Sequence, residues 1–340
     1  MPAAGFYYDA LHQQHDVRSH PECPARVESV MEYLRARDAL VALQPLAPRA
    51  ATESELELVH PTRHIDRIRG LDASGGGSID PDTAVVVGSY AAALHATGGV
   101  LAGVDAVLGG LTPSAFCLVR PPGHHATADR AMGFCYFNSV AVAAQYARQV
   151  YGLERLAIVD FDVHHGNGTQ DIFWDDPAVL YLSTHQFPFY PGTGQWSQTG
   201  GPGAVGCTVN VPLPAGSGDI EYLRVFDRLL LPVLKRFHPQ LLLVSAGYDA
   251  HEGDPLAGMA VSTGGYREIM LRLRVAAELL CGGRLVAALE GGYDLADLAA
   301  SVEVSIEALE EPSPSYSPAE PAGAAIEHYL DKLRELHGLA

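Results

Sequence analysis

The stretch that decides the fold is Arg155–Gly168, "RLAIVDFDVHHGNG". Its first half is a near-continuous apolar run, the pattern of a strand buried on both faces of a parallel sheet. Its second half crowds Asp160, Asp162, His164 and His165 together. A strand end needs no such density of titratable groups for folding. Four other runs share the apolar pattern: "AFCLVR" (115–120), "AVLYLSTH" (178–185), "QLLLVSAGYD" (240–249) and "RLVAALEGGYD" (284–294). Helix-like segments lie between them: "NSVAVAAQYARQVYG", "DIEYLRVFDRLLLPVLKRF" and "GGYREIMLRLRVAAELLCGG". This alternation reads as βαβ units building an α/β domain with helices on both sheet faces.

Composition bounds the rest. With 340 residues, 48% hydrophobic and 18% charged, the chain has ample material for one large core. The N-terminus "MPAAGFYYDALHQQHD" lacks a basic region followed by an apolar one, so no signal peptide is expected. No unbroken run of apolar residues reaches membrane-spanning length, and no membrane partner is expected. Five cysteines without a CxxC pair fit a reduced, cytoplasmic setting. A net charge of -18 argues against nucleic acid, whose phosphates need a basic surface. One domain is expected over residues 1–309, then a Pro/Ser/Ala-rich linker over 310–325 and a docked C-terminal helix over 326–340.

In open parallel sheets the functional crevice lies at the carboxyl ends of the strands. Here those ends read "PPGHHA", "FDVHHGNG", "SAGYDAHEGD" and "EGGYD". A lone polar residue at a strand end is usually a cap; four such ends together point to one shared site. Asp162 and His164, two residues apart on extended chain, project the same way and can share a divalent ion. Asp249 from another strand would complete an Asp2His set with an open position, the pattern of a catalytic zinc. Such an ion polarises a carbonyl and acidifies water. His124 and His125 offer one imidazole to take a proton and one for electrostatic support. Asp160 and Asn167 stand where they could orient those rings, and Tyr293 could donate to a developing oxyanion. The set reads as metal-assisted hydrolysis of an amide.

The blocks "RPPGHHA", "DFDVHHGNGTQDIF", "SAGYDAHEGDPL" and "EGGYDL" resemble the signatures of the histone deacetylase superfamily. They are most similar to its class II-like bacterial amidohydrolases and acetylpolyamine amidohydrolases, and "HPECPARVESV" near the start fits as well. The resemblance implies the arginase/deacetylase fold, a single α/β domain around an eight-stranded parallel sheet. It implies one zinc on Asp162, His164 and Asp249, with His125 as general base and His124, bonded to Asp160, as its electrostatic partner. Asn167 stands where many relatives carry aspartate, so a neutral amide would orient His125. A potassium ion is implied at backbone oxygens of Asp160, Asp162 and His164 with Ser183, and a second at Phe173, Asp176 and Val179. The implied substrate tunnel has Phe134 and Tyr190 as walls, carbonyls of Gly133 and Gly291, and Asp80 at the rim. Implied substrates are acylated lysine in proteins or acylated polyamines; homo-oligomers occur in the family.

Other residues read more plainly. His12, His15 and His20 fit loop and capping roles, and strand alternation turns His165 away from His164. His185 and His251 near the crevice have no defined role, although His185 is the reserve candidate for the acid. "GGGS" at 75–78 lacks the context of a phosphate cradle. Cys135 lacks a base that would mark it as a nucleophile. Two competing readings share the scaffold: a binuclear manganese hydrolase, needing further bridging aspartates, and a non-catalytic acyl-lysine binder, needing no acid-base set.

Overall fold

Leu156 and Ile158 are buried in one core, while Ala157 and Val159 are buried in another. A strand hydrophobic on both faces can rest only inside a sheet covered on both sides. The computed structural model describes residues 3–339 and shows that sheet. Its strands are β1 (Gly5–Tyr8), β2 (Gln44–Pro45), β5 (Ser114–Leu118), β6 (Leu156–Asp160), β7 (Val179–Gln186), β8 (Thr208–Leu213), β9 (Leu241–Ala246) and β10 (Leu285–Leu289). They are all parallel, in the order β2-β1-β5-β10-β9-β6-β7-β8. A small antiparallel hairpin, β3 (Gly77–Ser78) with β4 (Ala84–Val85), stands apart.

The five apolar runs became β5, β6, β7, β9 and β10. Periodicity alone does not reveal the other three. β1 is four residues long and β2 is two. β8, "TVNVPL", carries Pro212, which a strand tolerates at a sheet edge, and β8 is an edge.

Helices Ala25–Ala36, Thr263–Cys281 and Leu295–Glu310 cover one face; Thr62–Ala73, Ser89–Leu108 and Ser139–Tyr151 cover the other. Ser89–Leu108 is long and apolar enough to cross a membrane by length and composition, with mean hydropathy 1.5. An apolar run broken only by small and polar residues escapes a search for unbroken apolar length. In the fold, 67% of that window is buried, and the helix packs on β1, β5 and β10. It is a core helix.

After Glu310 the chain has no regular structure until helix Ala324–Leu336, which begins two residues before the expected 326. This segment is pinned, unlike a flexible tether. Buried Arg272 donates to the Ser317 carbonyl at 2.8 Å, and Ala319 N–H donates to Asp227 at 2.7 Å. Leu330 and Leu333 of the last helix are fully buried in the core that holds Ala157 and Val159.

The central neighbours β5, β10, β9 and β6 position the site. Asp160 pairs with Ser245, Ser245 with Ala288, and Ala288 with Cys117. The four strands therefore end level, and their four polar turns open along one edge.

Candidate metal and acid-base centre

The turns after β6 and β9 supply the ligand set. His164 Nδ1 lies 3.1 Å from both Asp162 Oδ1 and Asp249 Oδ2. One ligand atom from each of the three lies within 4.8 Å of the others, the one such grouping among the described residues. Both carboxylates are fully buried, and the His164 side chain is 12% exposed. Backbone donors fix the carboxylates: Gly291 N–H reaches Asp162 Oδ2 at 2.8 Å, and Val163 N–H reaches Asp249 Oδ1 at 3.0 Å. A Cβ on Gly291 would stand 2.0 Å from Asp249 Oδ2, so this approach requires glycine.

The electrostatics of the set suit a cation. Burial, then the neighbouring Asp162 charge, pushes Asp249 up. Burial opposes ionisation of Asp162 too, but His124 and His164 outweigh it and hold it down. Burial disfavours a charged His164, yet the two carboxylates raise it to about 10. Two carboxylates against one imidazole leave an excess negative charge that a divalent ion neutralises. The residues fit a metal.

The turn after β5 supplies the tandem histidines, whose ring centroids are 4.1 Å apart. His124 Nδ1 is 3.0 Å from Asp160 Oδ2, which also accepts from the Tyr181 hydroxyl at 3.0 Å. His125 Nδ1 is 2.8 Å from Asn167 Oδ1. Their environments pull them apart. Burial opposes a charge on His124, but Asp160, Asp162 and Glu290 outweigh it and hold its pKa well above the ordinary value. Burial, then the charges of His124 and His164, holds His125 well below it. With Nδ1–H donated to an amide oxygen, neutral His125 keeps its Nε2 lone pair free to accept a proton.

Pro122, both tandem histidines, His164, Phe134, Tyr190, Leu256 and Tyr293 line a cavity of about 220 Å³, together with Asp82, Gly133 and Gly291. The ring of Tyr190 stands 5.1 Å from that of His125, nearly perpendicular to it. The neighbouring Phe189 stacks on His164 at 5.2 Å. Tyr293 rests on Arg26, whose guanidinium carbon is 4.8 Å from the ring centroid. Arg26 also donates to the carbonyls of Gly292 and Glu290, both at 2.6 Å. Asp254 accepts Tyr293 N–H at 2.7 Å.

A histone deacetylase domain pattern matches residues 20–309. The histone deacetylase-like amidohydrolase of Pseudomonas aeruginosa is 41% identical over 81% of this chain and 72% of its own length. The probable deacetylase of Archaeoglobus fulgidus is 39% identical over 94% of this chain and 93% of its own. This chain belongs to the histone deacetylase family. The solved HDA15 HD domain superposes with a TM-score of 0.91 at 34% identity, covering 99% of this chain and 95% of that one. The shared architecture is a single domain around an eight-stranded parallel sheet, and this histone deacetylase family member keeps its strand-end blocks within it.

Some expected site residues sit elsewhere. Asp80 does not line the cavity; Asp82 does, and Asp80 Oδ1 instead accepts the Asp82 N–H at 3.1 Å. "SIDPDT" offers two aspartates two residues apart, and only the hairpin geometry chooses between them. The Gly291 carbonyl already accepts Tyr248 N–H at 3.1 Å. His185 is buried away from the cavity, with Nδ1 on Ser183 Oγ and Nε2 on the Gly194 carbonyl, both at 2.9 Å. It has no free nitrogen for an acid role. His165 faces Thr193 and Gln170, and His251 faces Thr263 and Asp297. His15 and His20 serve Ser89 and loop carbonyls; His12 is packed against Tyr7 and Tyr8. The Asp176 carboxylate pairs with Arg148, and the carbonyls of Phe173 and Asp176 accept turn N–H groups.

Residue types at strand ends do not reveal the support beneath the site. Glu22, Arg26 and Arg120 form a fully buried cluster: Arg120 Nε donates to Glu22 Oε1 at 2.6 Å and Arg26 Nη1 at 3.2 Å. Their signal was present in "HPECPARVESV" and "RPPGHHA", where charges flank prolines, but burial makes it meaningful.

Proposed function

We propose that this chain is a zinc-dependent deacylase, hydrolysing the amide of acylated lysine side chains or of small acylated amines. The observation that carries the reading is the tandem histidine pair, Nδ1 of one on Asp160 and of the other on Asn167, lining one cavity with His164 of the Asp162–His164–Asp249 set. Those three residues would hold the zinc, which when bound supplies Lewis acidity toward the acyl carbonyl and water. His125, neutral with a free Nε2, takes the proton of the attacking water and later returns it to the departing amine. His124 stays cationic and stabilises the negative charge that develops during attack. Tyr293 donates its hydroxyl to the acyl oxygen, Arg26 fixing its ring from below. Phe134 and Tyr190 flank the acyl-lysine chain, with Asp82 at the mouth.

The single three-residue ligand set among the described residues supports one ion over a bridged pair. An acid-base set of opposite protonation supports a catalyst over a binder. Potassium at the backbone oxygens near Ser183 and near Phe173–Val179 belongs to the same proposal.

The test combines metal content with turnover of an acetyl-lysine amide and an acetylated polyamine. One zinc per chain with turnover of either substrate is expected. Two manganese ions per active chain would sink the single-zinc reading, and a zinc-loaded chain inert toward both amides would sink the deacylase reading.

A further inference from the structure

Glu290 opens the "EGGYD" turn, is 2% exposed, and lies outside both the ligand set and the cavity lining. A buried carboxylate is costly unless donors converge on it. Three do. Gly123 N–H reaches its Oε2 at 2.6 Å, His124 N–H reaches the same oxygen at 3.2 Å, and Ser245 Oγ–H reaches Oε1 at 3.0 Å. These donors come from the turn after β5 and from β9, while Glu290 itself directly follows β10.

We propose that Glu290 is a positioning residue for the tandem histidines, tying their backbone to the strand end from which Tyr293 departs. The inference rests on the deacylase reading above and names a residue that acts through others. Asp160, the last residue of β6, and Asn167, at the start of the short helix that follows, fix the imidazole rings at Nδ1. Neither ties the β5 turn to β10, the strand that leads into Tyr293. Glu290 supplies that link, with Gly291 and Gly292 as the only residues between it and Tyr293. The proton acceptor and the oxyanion donor therefore share one anchor. Displacing reacting groups by about 1 Å can cost on the order of 10² in rate.

Glu290→Gln tests this because it keeps size but leaves one acceptor oxygen. That oxygen can keep the backbone pair only if the amide NH2 turns to Ser245, whose hydroxyl must then accept and give up its own bond to Oε1. In the zinc-loaded enzyme, kcat on an acetyl-lysine amide should fall about 10- to 100-fold, with KM within about twofold. Zinc content should match wild type, and amide exchange at Gly123 and His124 should quicken. Should Glu290→Gln not fold, Glu290→Asp carries the same expectation, since it keeps the charge but shortens the reach. Wild-type kcat in a folded variant overturns the proposal, as does a loss explained by missing zinc or by KM alone. An inert wild type rejects the deacylase reading itself, whereas unchanged amide exchange in the variant rejects the role of Glu290 on its own.

Discussion

Tyr293 keeps its proton across the neutral range because burial holds its pKa well above 10, with Arg26 pulling the other way. It is therefore an O–H donor, and a donor aimed at an acyl oxygen matters most when that oxygen becomes anionic. Tyr293→Phe should cut kcat by about 10²–10³ and leave KM nearly unchanged. Steady-state kinetics with metal analysis on the same sample checks it; retained kcat with intact zinc would remove the hydroxyl from the mechanism. Asp249→Asn tests the ligand set. It keeps the shape but removes one of two carboxylates around His164, so zinc affinity and turnover should both collapse while the domain stays folded. Full zinc occupancy by atomic absorption, with normal turnover, would exclude Asp249 as a ligand. At this scale the sequence was most legible. Residue types and spacing single out Asp162, His164 and the tandem histidines as candidates, because strand ends and glycine turns are local patterns. That Asp82 lines the cavity and Asp80 does not, and that both nitrogens of His185 are bonded, depends on how neighbouring loops pack.

A tight turn brings Phe134 to the cavity. Met132 and Cys135 exchange backbone hydrogen bonds, and the two residues between them have positive φ, +55° at Gly133 and +68° at Phe134. Two positive φ values in succession are those of a type I′ turn, and at Phe134 they carry strain that the surrounding structure must hold. A Cβ on Gly133 would meet the His125 ring at 2.5 Å. Gly133→Ala should thus lower turnover by about 10², leaving zinc content unchanged; wild-type kinetics would show that the turn yields without moving His125. Beneath the opposite wall, the Glu22–Arg26–Arg120 cluster joins the N-terminal segment to the ends of β5 and β10. Glu22→Gln removes one partner from two buried guanidinium groups, and such a loss costs about 3–5 kcal/mol. A shift in denaturant midpoint of that size is expected; an unchanged midpoint would mean that water already satisfies the arginines.

Stability of the whole molecule should depend on pH through buried neutral histidines. Burial holds His60 at about 4, below the roughly 6.5 of an unfolded chain. Its two nitrogens face the Ala128 carbonyl and the Asn138 N–H, both at 2.9 Å, so protonation would break the second contact. The unfolded chain takes up the proton first. The contribution of His60 is complete above pH 6.5 and is lost as pH falls toward 4. Denaturation of wild type and His60→Gln at pH 7.5 and 5.0 should show the gap between them narrowing at the lower pH. An equal gap at both values would contradict a neutral buried ring. At the other end of the chain, Leu333→Ala should cost about 2–5 kcal/mol, as for other buried leucines, without changing kcat at 25 °C. Thermal unfolding with activity on the same sample tests that the last helix is part of the domain.

The sequence by itself determined the class of fold and the chemistry offered at its edge. Apolar runs of strand length, separated by amphipathic segments, are encoded in neighbouring residues and survive without knowledge of the partner strand. Tertiary structure decided what those residues do together. Asp249 meets Asp162 because β9 pairs with β6, although the two lie far apart in the chain. Arg26 reaches Gly292 and Glu290 across most of the sequence, and Glu290 reaches back to the turn after β5. Buried carboxylates then push the pKa of His124 up, while burial and the neighbouring imidazole charges push that of His125, an adjacent residue of the same type, down. Strand pairing and desolvation are properties of the assembled molecule, which no local pattern carries.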